Sequence, residues 1–268
     1  MNTKKLIYLH ILLLVVCVLF SYVGCEHQTI SILNVFDSYI VNTDLKRHSS
    51  GFGCVIRTQE LNILFDTGYQ IGGKILLSNM EKMNIDPKDI DIIVISHEHL
   101  DRGLEGFLKK NPNVKVYVPG SLPYIKRIVE KYGATYLEMN EFSKIADHIY
   151  STGSMEGEYG GSILEQSLVI DTNKGLAVIC GCAHPGIIKI LERIKEMLPD
   201  KKFYLVMRGF HLQGSSTAEL EGIIKEFKTL GVKKVAPSHC SGDNFRELSK
   251  QKFGKSYIEG GVGQIITF

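Results

Sequence analysis

From Pro87 to the C-terminus the chain alternates short apolar runs with stretches whose apolar residues recur at helical spacing, and no other feature restricts the fold so much. "PKDIDIIVIS" reads as a short buried strand, "RGLEGFLKKN" as a helix, "VKVYVPG" as a strand, "SLPYIKRIVEKYG" as a helix and "TYLEM" as a strand. The order returns later as helix "GIIKILERIKEML", strand "KFYLVMRGFHL", helix "STAELEGIIKEFKTLG", strand "VKKVAPSHCSG", helix "NFRELSKQKFG" and a closing strand "GQIITF". Apolar strands of this kind must be covered, so helices are layered on sheet. Nearer the start, "TISILNVFDS" and "GCVIRTQELNILFDTG" are strands by their β-branched content, and "GGKILLSNMEKMNI" is a helix. The middle, "DHIYSTGSMEGEYGGSILEQSLVIDTNKGLAVICGCAHPG", reads as a glycine-rich loop followed by two strands joined at "TNKG". No Pro- or Ser-rich linker interrupts the 268 residues, so one α+β domain is the economical reading.

The first 25 residues stand apart: two lysines in "MNTKK", the apolar run "LIYLHILLLVVCVLF", then "SYVGC". This is the pattern of an export signal, and its end resembles the lipobox of bacterial lipoproteins, with Cys25 as the lipidated residue. Cleavage near Gly24 and a retained anchor are the alternatives, although the run is short for a spanning helix of about 20 residues. The expected organisation is a signal over 1–25 and one domain over 26–268, exported and lipid-anchored at a bacterial membrane. Of six cysteines, Cys17 and Cys25 belong to the signal, and three of the other four (Cys54, Cys180, Cys182, Cys240) fall inside motifs, so stability should come from a core and not from disulfides. With 31 basic and 29 acidic residues spread along the chain, no basic face suggests nucleic acid, and a small-molecule substrate is the expected partner.

His97, His99, His184, His211 and His239 all sit where an apolar strand gives way to a loop. Strand ends on one edge of a sheet are neighbours in space, so these positions can converge on a metal. In "HEHLD" the two histidines alternate onto one side of an extended segment while Glu98 faces the other. Asp101 can then reach the same centre as an oxygen ligand or as a group that guides a proton, or it can cap the helix beginning near Arg102. The spacing differs from the zincin motif, which needs a second histidine four residues after the first.

"FDTG" at 65–68, "SHEHLDRG" at 96–103 and "PSHCSG" at 237–242 resemble the metallo-β-lactamase superfamily; with "CGCAHPGI" at 180–187 and "GFHL" at 209–212 they are similar to its branch of dihydropterin synthase-like proteins. The resemblance implies a four-layer αββα sandwich with one or two Zn²⁺ ions, Mn²⁺ or Fe²⁺ being alternatives, in a groove at the strand ends, with a metal-held hydroxide as nucleophile. His97 and His99 would hold the first metal; Asp101 and His239 belong with the second. Asp66 would orient the site from behind the ligands. His184 would enter from the neighbouring strand end, and Cys182 is either a ligand or a small buried residue. His211 is a candidate catalytic group or substrate contact. His148 is a reserve for the superfamily's usual middle histidine. Arg102 departs from the pattern: its guanidinium stays protonated and offers no lone pair where a histidine would ligate. It stands behind the ligands, while Asp101, Cys182 and His239 remain to hold a second ion. The function expected is an exported metal-dependent hydrolase of esters, amides or phosphoesters. The alternatives are a transferase like that branch, and a non-catalytic binding protein with a degenerate site.

Overall fold

The computed structural model describes residues 29–69, 73–98, 103–157 and 163–268. Alternating apolar strands and amphipathic helices assemble into four layers, helices outside and two sheets inside. The first sheet has seven strands in the order β15-β1-β2-β3-β4-β5-β6. They are β1 (Ser31–Phe36), β2 (Gly53–Arg57), β3 (Asn62–Phe65), β4 (Ile92–Val94), β5 (Lys115–Pro119), β6 (Thr135–Met139) and β15 (Ile265–Thr267). The second has six in the order β14-β13-β12-β11-β8-β7. These are β7 (Ser143–Ala146), β8 (Ile149–Ser151), β11 (Leu168–Thr172), β12 (Gly175–Cys180), β13 (Phe203–Arg208) and β14 (Lys234–Pro237). A separate hairpin pairs β9 (Met155–Gly157) with β10 (Ile163–Glu165).

Side-chain alternation explains the layering. In β2 and β3, Cys54, Ile56, Ile63 and Phe65 face the second sheet, where they meet Ile170, Ile179, Leu205 and Met207. Val55 and Leu64 point the other way, toward α1 (Lys74–Lys82), α2 (Leu104–Leu108) and α3 (Pro123–Tyr132). In β12 the same rule sends Ala177 and Ile179 inward. Leu176, Val178 and Cys180 face α4 (Ile187–Met197), α5 (Thr217–Thr229) and α6 (Asp243–Phe253). The helices stop and start where the sequence predicts: Pro123 opens α3 and Gly133, in the left-handed region, closes it, while Ser216 and Glu219 form a capping box on α5.

The sandwich agrees with the expected fold, and two details correct it. The middle segment read as a loop contains β8, β9 and β10, strands of three residues too short to show a period. The strand predicted over "KFYLVMRGFHL" ends at Arg208, because Arg208 and His211 both take positive φ and turn the chain out of the sheet. Among the described residues no helix is long and apolar enough to cross a membrane. The predicted signal over 1–25 lies outside the described residues.

Candidate metal centre

β3 and β4 are parallel, as are β12, β13 and β14, so their C-terminal ends form one edge of the sandwich. His97 follows β4, Cys182 and His184 follow β12, His211 follows β13 and His239 follows β14. The donor atoms of His97, Cys182 and His184 lie within 4.8 Å of one another, and so do those of Cys182, His211 and Cys240. The His97 and His184 ring centroids are 4.6 Å apart, those of His184 and His211 4.7 Å. His239 Nε2 comes to 3.3 Å from Cys182 Sγ. Thus His97, Cys182, His184, His211 and His239 are brought together, whereas His148 is exposed at the β7–β8 turn. His99, Asp101 and Arg102 lie outside the described residues.

Carboxylates hold these groups from behind. Asp66 accepts from the Ser96 backbone N–H at 2.7 Å and from the Ser96 hydroxyl at 2.7 Å, and Ser96 Oγ lies 2.8 Å from His97 Nδ1. Burial raises the Asp66 carboxyl to about 8, opposed by the two Ser96 bonds and helped by the charge of Glu165. When ionised, Asp66 draws the Ser96 hydroxyl proton. His97 Nδ1–H then donates to Ser96 Oγ, and the lone pair sits on Nε2.

Glu165, which sequence reasoning missed, does the same for His184. One oxygen accepts from the N–H groups of Cys182 (2.9 Å) and Ala183 (2.7 Å); the other accepts from His184 N (2.9 Å) and His184 Nδ1 (2.7 Å). Burial acts to raise this carboxyl, but the His184 hydrogen bond and the charges of His97 and His184 outweigh it and hold it at about 2. Next to it, Gln166 donates to the Ile95 carbonyl at 2.8 Å and its own N–H to Ser96 O at 2.9 Å, tying the first sheet's His97 to the second sheet's His184. Asp37, also missed, fixes the His239 turn by accepting from Ser238 Oγ (2.8 Å) and His239 N (3.2 Å). A signal for it existed: "VFDS" at the end of β1 repeats the grammar of "LFDT" at the end of β3.

The two sheet edges meet this closely because of glycine. A Cβ on Gly181 would stand 2.1 Å from Ser96 Oγ, and one on Gly209 would stand 2.1 Å from Gly181 O and 2.8 Å from Cys240 Sγ. Around the centre Asp66, Ala183, Arg208, His211 and His239 all adopt left-handed backbone, strain of the kind that gathers at functional sites. The sulfurs also differ. Burial alone would raise the Cys240 thiol, but hydrogen bonds from Cys182 and His211 and the charge of His239 push it well below its ordinary value. Cys182 is held protonated by its hydrogen bond to Cys240 and by burial. Cys54, inside the inter-sheet core, is pushed up to about 12 by burial. Cys54, Cys180, Cys182 and Cys240 are free thiols.

Imidazole and thiolate donors in a buried, carboxylate-braced cluster fit a borderline-soft transition metal, as a set of hard oxygen ligands would not. Fold and cluster together define the class: a metal-dependent hydrolase fold with a candidate His/Cys metal site. The sequence pattern of the metallo-β-lactamase superfamily matches residues 52–182. It is 29% identical over 249 residues, 77% of this chain and 84% of the relative, to the 7,8-dihydropterin-6-methyl-4-(β-D-ribofuranosyl)-aminobenzene-5'-phosphate synthase of Methanocaldococcus jannaschii. A solved metal-dependent hydrolase of the β-lactamase superfamily, Tm1679, superposes with a TM-score of 0.71 at 27% identity, covering 88% of this chain and 98% of its own. The metallo-β-lactamase fold protein YhfI of Bacillus subtilis shares the fold, with a TM-score of 0.65 at 10% identity over 90% of this chain and 100% of its own.

Proposed function

We propose that the chain is an exported, metal-dependent hydrolase of a small-molecule ester, amide or phosphoester. The observation that supports this reading most is the grouping of His97, Cys182 and His184, donor atoms within 4.8 Å, each imidazole backed by a polar partner at Nδ1. That donor set suits Zn²⁺ better than Mn²⁺ or Fe²⁺. A zinc ion held by these residues would lower the pKa of its water toward about 7 and polarise a substrate oxygen. Glu165, and the Asp66–Ser96 pair once Asp66 is ionised, favour the tautomer of each imidazole that presents Nε2. Asp37 holds His239 at the rim. The test is elemental analysis of the purified protein, joined to a panel of esters, phosphodiesters and β-lactams assayed with wild type and His97→Ala. Bound zinc and activity lost in the variant are expected; a protein without transition metal whose stability and activity ignore added Zn²⁺ sinks the reading.

The similarity to the Methanocaldococcus jannaschii synthase favours a second reading, a synthase acting on dihydropterin substrates. Formation of the product that names that relative would move the assignment from hydrolase to synthase. Export and lipid anchoring at Cys25 are part of the first reading, and mass spectrometry of the mature N-terminus decides them.

A further inference from the structure

We propose that Arg208 is a positioning residue for the metal centre: its buried guanidinium supplies the positive charge beside Asp37, the carboxylate that holds the His239 turn. The inference rests on the hydrolase reading and extends it to a residue outside the donor set. Strand alternation should send Arg208 toward the helices, since Leu205 and Met207 face the inter-sheet core while Val206 faces the helix side. Its guanidinium instead lies 5.3 Å from the centroid of Phe52, inside that inter-sheet core. The reversal coincides with a φ of 91° at Arg208, a strained value for a side chain of this size.

Two observations place Asp37 beside it. β1 and β2 pair with Phe36 opposite Gly53, so Asp37 and Phe52 are the next residues along the two strands. Ser238 is gripped by both groups, its N–H donating to the Arg208 carbonyl at 3.1 Å and its hydroxyl to Asp37 at 2.8 Å. Asp37 itself is saturated: it accepts from Asn34 Nδ2, from Ser238 Oγ and from the N–H groups of Ser38, Tyr39 and His239. A carboxylate has about four lone-pair sites, so these donors leave none for Arg208. The three guanidinium nitrogens make no hydrogen bond among the described residues, and the arginine therefore acts as a charge and not as a bonding partner. Both side chains are fully buried, where a charge is felt over several ångströms. Losing every hydrogen bond to water weighs against Arg208 more than one unbonded attraction weighs for it, so its contribution is to the aim of the carboxylate and not to stability. The His239 N–H rests on that carboxylate at 3.2 Å, and His239 Nε2 reaches to 3.3 Å from Cys182 Sγ.

Arg208→Met keeps the bulk without the charge, and Arg208→Lys keeps the charge without the planar fork. Two readouts are taken: the His239 amide resonance by NMR in the metal-free protein, and the affinity for Co²⁺ as a stand-in for zinc. In Arg208→Met the His239 amide should move as its bond to Asp37 slackens, and cobalt should bind about 10-fold more weakly, although the variant melts no lower than wild type. Arg208→Lys should recover most of both. In an Asp37→Asn background, where the carboxylate charge is already gone, Arg208→Met should change cobalt affinity little. An unmoved His239 amide or an unchanged cobalt affinity in Arg208→Met overturns the proposal, whatever the melting point, and so does an equal loss in the Asp37→Asn background. Wild type that binds no cobalt overturns the hydrolase reading, and the amide readout then still decides whether Arg208 acts on the His239 turn.

Discussion

Replacing Glu165 by glutamine removes one charge and keeps the shape, which isolates what that carboxylate does. It accepts four hydrogen bonds, three from backbone N–H groups and one from His184 Nδ1, all buried. An amide has one acceptor oxygen, so whichever way the substituted side chain turns, its NH₂ faces donors. The two buried donors left facing the amide NH₂ lose their acceptor at about 1–3 kcal/mol each, about 3–5 kcal/mol together. Linkage gives a similar figure from an independent direction: a carboxyl held at about 2 in the fold against an ordinary 4.5 contributes about 3 kcal/mol at neutral pH. At about 2–4 °C per kcal/mol for a domain of this size, the melting point of the metal-free variant should fall by about 6–20 °C. Because the folded value is depressed, the contribution is present above pH 4.5 and is lost as the pH falls toward about 2. Denaturant unfolding of metal-free wild type and Glu165→Gln between pH 7 and pH 3 reads this directly. A zinc competition titration should add a drop of about 10–100-fold in affinity, since His184 loses its orienting partner. Equal stabilities at pH 7, or a gap that stays constant down to pH 3, would refute the reasoning.

Arg208 is fully buried against the Phe52 ring, and its three guanidinium nitrogens make no hydrogen bond among the described residues. Arg208→Met should therefore raise stability, by about 1–4 kcal/mol, measured by thermal melting. Gly181→Ala drives a methyl into Ser96 and should cost about 3 kcal/mol while weakening zinc binding, followed by calorimetry. Gly222→Ala is the opposite case, an exposed position in α5 where an added Cβ meets nothing within 4 Å, and should add about 0.5–1 kcal/mol in denaturant unfolding. Zinc at about 100 times its dissociation constant should stabilise the native state by about 2.7 kcal/mol, and a chelator should reverse the shift in melting temperature.

The layers were legible because alternation along β2, β3 and β12 is regular and the helices carry their own stops, as at Gly133 and Ser216. The gathering of His97, His184, His211 and His239 could be foreseen from a single local rule, that each ends an apolar strand. Glu165 obeys no such rule. Its partners lie 17 to 19 residues ahead on another strand end, and the three-residue strand that carries it is too short for its period to be read. Cys240 was masked by its neighbour His239, since one strand end supplies two donors. Ser96 is positioned by contact with Asp66, thirty residues away, which only the parallel β3–β4 register creates.

Gly181 and Gly209 have a consequence for how this centre could change. Gly209 packs main chain against the main chain of Gly181, and the two glycines press directly on the side chains of Ser96 and Cys240, so the floor has no room for a larger group at either glycine. New specificity in such a protein has to be written on the walls, in the loops after each strand and in the β9–β10 hairpin, while the floor acts as a fixed datum from which any substrate is measured.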